Sequence, residues 1–269
     1  MTDTRNQRTT ELETTTTRRR TSSGNATKIE WTDKSWNTCT GCKPISPGCS
    51  NCYARTFAER WRGVPNHPFT SGFDFELREH RLEDPLNWRK PCMVFVGSMT
   101  DLFYEEVPND HIAKVFDTMT RASHHTFQVL TKRAARMEDW VAKHLDKVPD
   151  NVWMGVTVED QKRVKRIEHL SRISAQTRFV SFEPLLSEVV VPDHLMKQIH
   201  WAIVGGETGH KARRMHESWA ISLRDQCQHN GVPFFFKHMG MFNAAGERVG
   251  KKRAGKLLEG QEWLEYPNR

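Results

Sequence analysis

From residue 28 onward, short apolar runs alternate with longer stretches in which apolar and polar residues mix at helical spacing. The runs are Lys28–Trp31, Met93–Gly97, Thr126–Leu130, Val152–Val158, Arg178–Phe182, Trp201–Val204 and Pro233–Phe236. Most are near-continuously apolar, as expected for parallel strands buried on both faces. Between them the spacing predicts helices at about 53–61, 109–121, 133–145, 160–172 and 215–229. Strands that alternate with helices imply βα units joined by right-handed crossovers. The expected fold is therefore α/β, a partial (β/α) barrel of about six to seven parallel strands.

The residues that follow each run are polar or small. They read Gly97-Ser98-Met99-Thr100-Asp101, Thr131-Lys132-Arg133, Thr157-Val158-Glu159-Asp160, Ser181-Phe182-Glu183-Pro184, Gly205-Gly206-Glu207-Thr208-Gly209 and Lys237-His238. In barrel enzymes the C-terminal strand ends form the active face. Any one of these ends would pass for an ordinary turn or helix cap. The repetition is the signal.

Composition narrows the class. Hydrophobic residues make up 37% and charged residues 27% of the 269, as in a soluble globular chain. No apolar run approaches the roughly 18 residues of a membrane span. The N-terminus lacks the apolar core of a secretory leader, so a cytoplasmic protein is expected. Residues 1–26 are rich in Thr, Arg and Ser and nearly devoid of large apolar groups, the composition of a disordered tail. The expected organisation is this tail, a barrel over 27–240 with a cysteine loop at 36–54 and an insertion at 62–91, and an extension over 241–269. The net charge of +7 favours anionic partners.

The chemistry concentrates in the loop after the first run. Cys39, Cys42, Cys49 and Cys52 lie within fourteen positions. Such clustering in a reducing compartment reads as metal binding. Gly41, Pro44, Pro47 and Gly48 keep the segment irregular, so thiolates can converge. Cys42, Cys49 and Cys52 form C-x6-C-x2-C. Three thiolates can hold three irons of a [4Fe–4S] cluster and leave the fourth open to S-adenosylmethionine (SAM). With Cys39 the pattern becomes C-x2-C-x6-C-x2-C, which also fits a four-cysteine zinc knuckle on a non-catalytic nucleic-acid-binding protein. Cys92 and Cys227 sit beside strand and helix patterns and read as core thiols.

The string from Lys28 to Ala54 resembles a phage and bacterial family of radical-SAM-like proteins marked by a three-cysteine motif. The resemblance continues through Phe95–Phe103, Leu130–Arg133, Gly155–Glu159, Ser181–Leu186, Gly205–Gly209 and Gly231–Lys237. The segments after the second and third runs are also similar to spore photoproduct lyases. The first gap of the motif is longer than the common C-x3-C-x2-C, and Asn51 stands where an aromatic residue usually precedes the last cysteine. The resemblance implies a radical-SAM type of partial barrel, a [4Fe–4S] cluster on Cys42, Cys49 and Cys52, SAM as cofactor and an external electron donor. The product of SAM cleavage would be a 5′-deoxyadenosyl radical.

On this reading Ser98, Thr100 and Asp101 would hold the SAM amino group, and Lys132 and Arg133 its carboxylate or a phosphate. Glu159 and Glu183 would meet ribose hydroxyls or substrate. Gly205, Gly206 and Glu207 would let the backbone approach a ligand closely. Two basic groups, Arg78, His80, Arg81, Arg89 and Lys90 with Trp88, and His210, Arg213, Arg214 and His216, are expected on the active face. They suggest a nucleic acid or nucleotide substrate.

Overall fold

A computed structural model describes residues 27–267. The expected tail at 1–26 lies outside the described residues. Seven parallel strands form one sheet: β1 (Lys34–Trp36), β4 (Met93–Val96), β5 (Thr126–Thr131), β6 (Val152–Thr157), β7 (Arg178–Phe182), β8 (Trp201–Gly205) and β9 (Phe234–His238), in that spatial order. β2 (Cys39–Thr40) and β3 (Glu76–Leu77) form a separate antiparallel ribbon that ties the insertion to the start of the cysteine loop. The helices are α1 (Tyr53–Glu59), α2 (Asn109–Arg121), α3 (Ala134–His144), α4 (Lys165–Ser171), α5 (Asp193–Met196), α6 (Glu217–His229) and α7 (Lys251–Ala254). Each βα unit steps one strand along the sheet, and β1 and β9 do not pair. This is the expected partial (β/α) barrel, open at one seam. No helix among the described residues is long and apolar enough to cross a membrane.

Alternation along the strands sorts side chains to two faces. Val94, Val96, Phe127, Val129, Met154, Val156, Val180, Phe182, Ala202 and Val204 join one core with helix residues such as Ile112, Met137 and Leu223. Met93, Phe95, Trp153, Phe179, Trp201, Ile203 and Phe235 form a second, aromatic core on the other face. Gly155 is required there. A Cβ on it would sit 2.5 Å from the Phe179 ring.

The first strand is not where the apolar run predicts it. Lys28–Trp31 is irregular, and β1 begins at Lys34. Trp31 turns across the aromatic face, its ring 4.8 Å from Phe95 and 6.2 Å from Trp201. The Asp33 carboxylate accepts the Met93 N–H at 2.8 Å and fixes the start of β4. A four-residue apolar run reports burial, and here burial is on the barrel floor, not in the sheet. From the far end of the chain, Leu264 bridges Phe235, and Tyr266 stacks on Trp201 at 5.1 Å. The helix expected over 160–172 is shorter as well: a single turn at Gln161–Arg163 precedes α4.

Candidate metal and cofactor site

The cysteine loop spans the mouth of the half-barrel above a cavity of about 520 Å³, a size suited to a cofactor-sized ligand. Cys42, Cys49 and Cys52 line this cavity. All three are free and partly buried. Burial pushes the Cys42 thiol up to about 12, and the Asp101 carboxylate and the neighbouring Cys52 and Cys49 thiols push in the same direction. Such a set is costly to ionise unless a cation compensates it.

Cys39 is placed differently. It is fully buried beneath the loop, and its thiol lies 3.8 Å from the Thr100 hydroxyl. Burial raises it to about 11. Cys227 is fully buried, and the Cys92 sulfur lies 3.4 Å from His125 Nδ1.

The loop is fastened to the strand ends, and the residue before each cavity cysteine is a fastening point. Gly41, before Cys42, donates its N–H to the Met99 carbonyl at 3.0 Å and accepts the Thr100 hydroxyl at 2.8 Å. Its φ of +82° and the Asp74 carbonyl 2.5 Å from where a Cβ would sit demand glycine. Gly48, before Cys49, donates its N–H to Glu159 Oε1 at 3.4 Å. Asn51, before Cys52, donates its side-chain amide to Glu207 Oε2 at 2.9 Å.

Each acid in this arrangement has its own arginine. Arg166 on α4 donates to Glu159 Oε2 at 2.7 Å. Arg213 donates its Nε to Glu207 Oε2 at 2.9 Å and its Nη2 to the Pro47 carbonyl at 2.9 Å. Arg133 donates to Asp101 Oδ2 at 3.2 Å and to the Lys43 carbonyl at 2.8 Å. Burial alone would raise the Glu159 and Glu207 carboxyls, but Arg166 for the first and Arg213 for the second hold them below the usual carboxylate range.

Most of the expected site residues have partners within the protein. Asp101 accepts from the Thr131 hydroxyl at 2.6 Å and from the Phe103 and Lys132 amides at 3.0 and 3.1 Å, beside its arginine. Glu159, with 0% exposure, is spent on Arg166 and the loop. Glu207 is spent on Arg213 and Asn51. Thr100 is tied to Gly41, and Ser98 exchanges hydrogen bonds with the Asn37 amide at 3.1 Å. Gly206 packs so closely on the chain that a Cβ would sit 2.2 Å from the Met239 carbonyl. At Gly205 a Cβ would meet Glu183 at 3.3 Å.

Ser98, Thr100, Asp101, Lys132, Glu183, Gly206 and Glu207 all line the cavity, and of these Lys132 and Glu183 have side chains with no tie to the cysteine loop. Lys132 lines it and makes no side-chain hydrogen bond or ion pair among the described residues. Glu183, at the end of β7, lines it and accepts Lys237 Nζ at 2.7 and 2.9 Å. Burial would raise the Glu183 carboxyl, but the Lys237 ammonium holds it below the usual range. His238 lies 3.6 Å from the same carboxylate, and burial pushes its imidazole down to about 4. It is therefore neutral at pH 7. Sequence reasoning gave no role to His238, to Arg166 or to Tyr53, whose hydroxyl donates to the Ser98 carbonyl at 2.6 Å. Tyr53 directly follows Cys52, which is the one signal that could have marked it.

The basic groups do not form the expected face. Arg78 is buried, stacked 5.4 Å from the Phe69 ring, and its N–H is held by the Thr38 carbonyl. Arg81 pairs with Asp84 at 2.9 Å, and Trp88 packs on the core beneath Lys34. Arg214 holds the Ala244 carbonyl at 3.3 Å, and His216 packs on Trp219. Of residues 62–91, only Phe73 lines the cavity. Arg78, Arg81, Arg213 and Arg214 have partners within the fold, whereas His80, Arg89, Lys90 and His210 are exposed and do not line the cavity.

Comparison with known proteins places the chain. A family described as "Protein of unknown function (DUF5131)" matches residues 26–267. The chain belongs to this family. DUF5131 carries no function in its description. No curated protein matches the chain. Among solved structures, the DUF5131 chain is similar to a cysteine-to-serine mutant of spore photoproduct lyase, with 10% identity, a TM-score of 0.48, and coverage of 79% of this chain and 65% of that one. A second match, spore photoproduct lyase complexed with dinucleoside spore photoproduct, has 10% identity, a TM-score of 0.41 and the same coverage. The chain thus spans about 65% of the length of the solved structures it matches.

Proposed function

We propose that this protein is a radical SAM enzyme that holds a [4Fe–4S] cluster on Cys42, Cys49 and Cys52 and acts on nucleic acid or a nucleotide. The observation that carries the reading is the cavity itself. Three unpaired thiols from one fastened loop face it, while the fourth thiol of the sequence cluster, Cys39, is turned into the core. Three thiols suit a cluster with one open iron, whereas a zinc knuckle requires four thiolates around one ion, and Cys39 is buried away from the other three. That placement favours the cluster over zinc.

Cys42, Cys49 and Cys52 would hold the cluster, which would supply one electron for reductive cleavage of SAM. The chain's own groups bind and orient. Lys132 offers an ammonium to a carboxylate or phosphate. Lys28 adds further positive charge to the cavity wall, where Lys237 and Lys251 are already paired with Glu183 and Glu30, and this suits a phosphate-bearing substrate. Glu183, anchored by Lys237, offers a carboxylate to sugar hydroxyls or an amino group. Ile29, Trp31, Phe95 and Leu130 line the floor and exclude water from that end. An external donor must deliver the electron.

The deciding experiment is anaerobic purification with iron, sulfide and zinc analysis, followed by a 5′-deoxyadenosine assay under reduction. About four irons per chain and SAM cleavage support the proposal. One tightly held zinc dependent on all four cysteines, without SAM cleavage, refutes it.

A further inference from the structure

The acids at the ends of β6 and β8 take part in a pattern that reaches beyond ligand binding. Each cavity cysteine is preceded by a residue held to the barrel: Gly41 by Met99 and Thr100, Gly48 by Glu159, and Asn51 by Glu207. Cys39 lacks this arrangement, since Thr38 before it bonds Arg78 and His111 instead. The two acids are 0% and 5% exposed, and each is neutralised by an arginine. Arg213 also reaches the Pro47 carbonyl, two residues before Cys49. Gly48 lies so close to Glu159 that a Cβ would meet the carboxylate at 3.2–3.3 Å.

From this geometry we infer that Glu159 with Arg166, and Glu207 with Arg213 and Asn51, are positioning residues that hold Cys49 and Cys52 in binding geometry before any metal arrives. The inference rests on the function proposed above only for the identity of the bound centre. A loop of Gly, Pro and Ser would otherwise lose considerable chain entropy on closing around a metal. Here the barrel has already ordered it, and the arginines make the buried carboxylates fixed acceptors instead of metal competitors. Ordering a site in advance raises the affinity and slows the release of what it binds.

Asn51→Ala is the informative variant. It removes the amide that reaches Glu207 but leaves Glu207 paired with Arg213, so no buried charge is stranded. Asn51→Asp places a second carboxylate against Glu207, and Arg213→Lys retains charge while losing the bidentate fork. The first measurement is hydrogen–deuterium exchange of the peptide covering residues 41–52 in metal-free protein, alongside Tm. Protection in the wild type is expected. Exchange should be about tenfold faster in Asn51→Ala, faster again in Asn51→Asp, and intermediate in Arg213→Lys, with Tm nearly unchanged in Asn51→Ala. The second measurement is iron retention against a chelator after reconstitution with ferrous iron and sulfide, with the electron paramagnetic resonance spectrum of the reduced protein. Release should accelerate in the same order, and the spectrum should broaden.

A metal-free wild-type loop that exchanges without protection overturns the inference. So do variants that match the wild type in exchange and iron release. If the wild-type loop is protected in an Asn51-dependent way but takes up no iron, the positioning stands and the proposed cluster falls. If a cluster assembles equally well in every variant, the cluster stands and the positioning falls.

Discussion

Four strand ends of the half-barrel carry a carboxylate, and they divide into two kinds. Asp101, Glu159 and Glu207 are each paired with an arginine that also grips the cysteine loop or holds its acid against it. Glu183 is paired with a lysine, has no contact to the loop, and faces the cavity. The planar guanidinium serves where two bonds must be made at fixed angles, and the compact ammonium serves where the partner must remain available to a ligand. Acidic residues after four strands thus fasten the cysteine loop in three cases and leave a carboxylate free of the loop in the fourth.

The largest effect expected from this division lies at the cysteines. Alanine at Cys42, Cys49 and Cys52 together should take iron from about four per chain to near zero. Cys39→Ala should retain it, because that thiol supports the core; equal iron loss in Cys39→Ala would erase the distinction drawn between the thiols. Next comes a contrast between the two kinds of acid. Lys237→Met should leave iron content unchanged while reducing substrate turnover about 100-fold. If it lowers iron content instead, Glu183 belongs with the scaffold.

A smaller effect should appear in stability against pH. His238 has a folded value of about 4 against 6.5 for the free group. Between those values the unfolded chain binds the proton and the folded chain does not, so stability falls as pH drops through that window. Glu183, held low, adds a loss at still lower pH as it is protonated. Urea denaturation from pH 7 to pH 4 should show His238→Gln with a flatter decline, by up to about 3 kcal/mol. An unchanged slope would mean that the imidazole is not buried as the corner requires. The smallest effect is at Lys132. Lys132→Ala should weaken nucleotide binding uniformly and lower its salt dependence by about one charge, and binding with unaltered salt dependence would remove it from the anion site.

The alternation of β5 to β9 with their helices is legible in the sequence because most of these strands are near-continuously apolar and buried on both sides. α2 at Asn109–Arg121 matches its predicted span for the same reason: its apolar spacing has a single interpretation. Lys28–Trp31 misled because an apolar run records burial without naming the surface it meets. At the site, the cysteines and the strand-end acids stood out by type and position. Their assignments did not follow, because Glu159 chooses Gly48 across 111 residues and Glu207 chooses Asn51 across 156. No local pattern encodes such a choice. Arg166, on the first turn of α4, looks like any solvated helix cation until the fold buries it.

The aromatic floor has a consequence for the order in which the molecule can be made. Trp31 enters it from one end of the described chain, and Leu264 and Tyr266 enter from the other. Lys251 pairs with Glu30 at 2.9 Å beside them, and the Trp201 indole donates to the Glu265 carbonyl at 2.8 Å. A nascent chain that has emerged only through β9 exposes one side of Trp201 and Phe235 to water. Vectorial synthesis therefore leaves the barrel greasy at its base until residue 266 clears the ribosome, and a stalled or truncated product would be a natural client for chaperones and proteases.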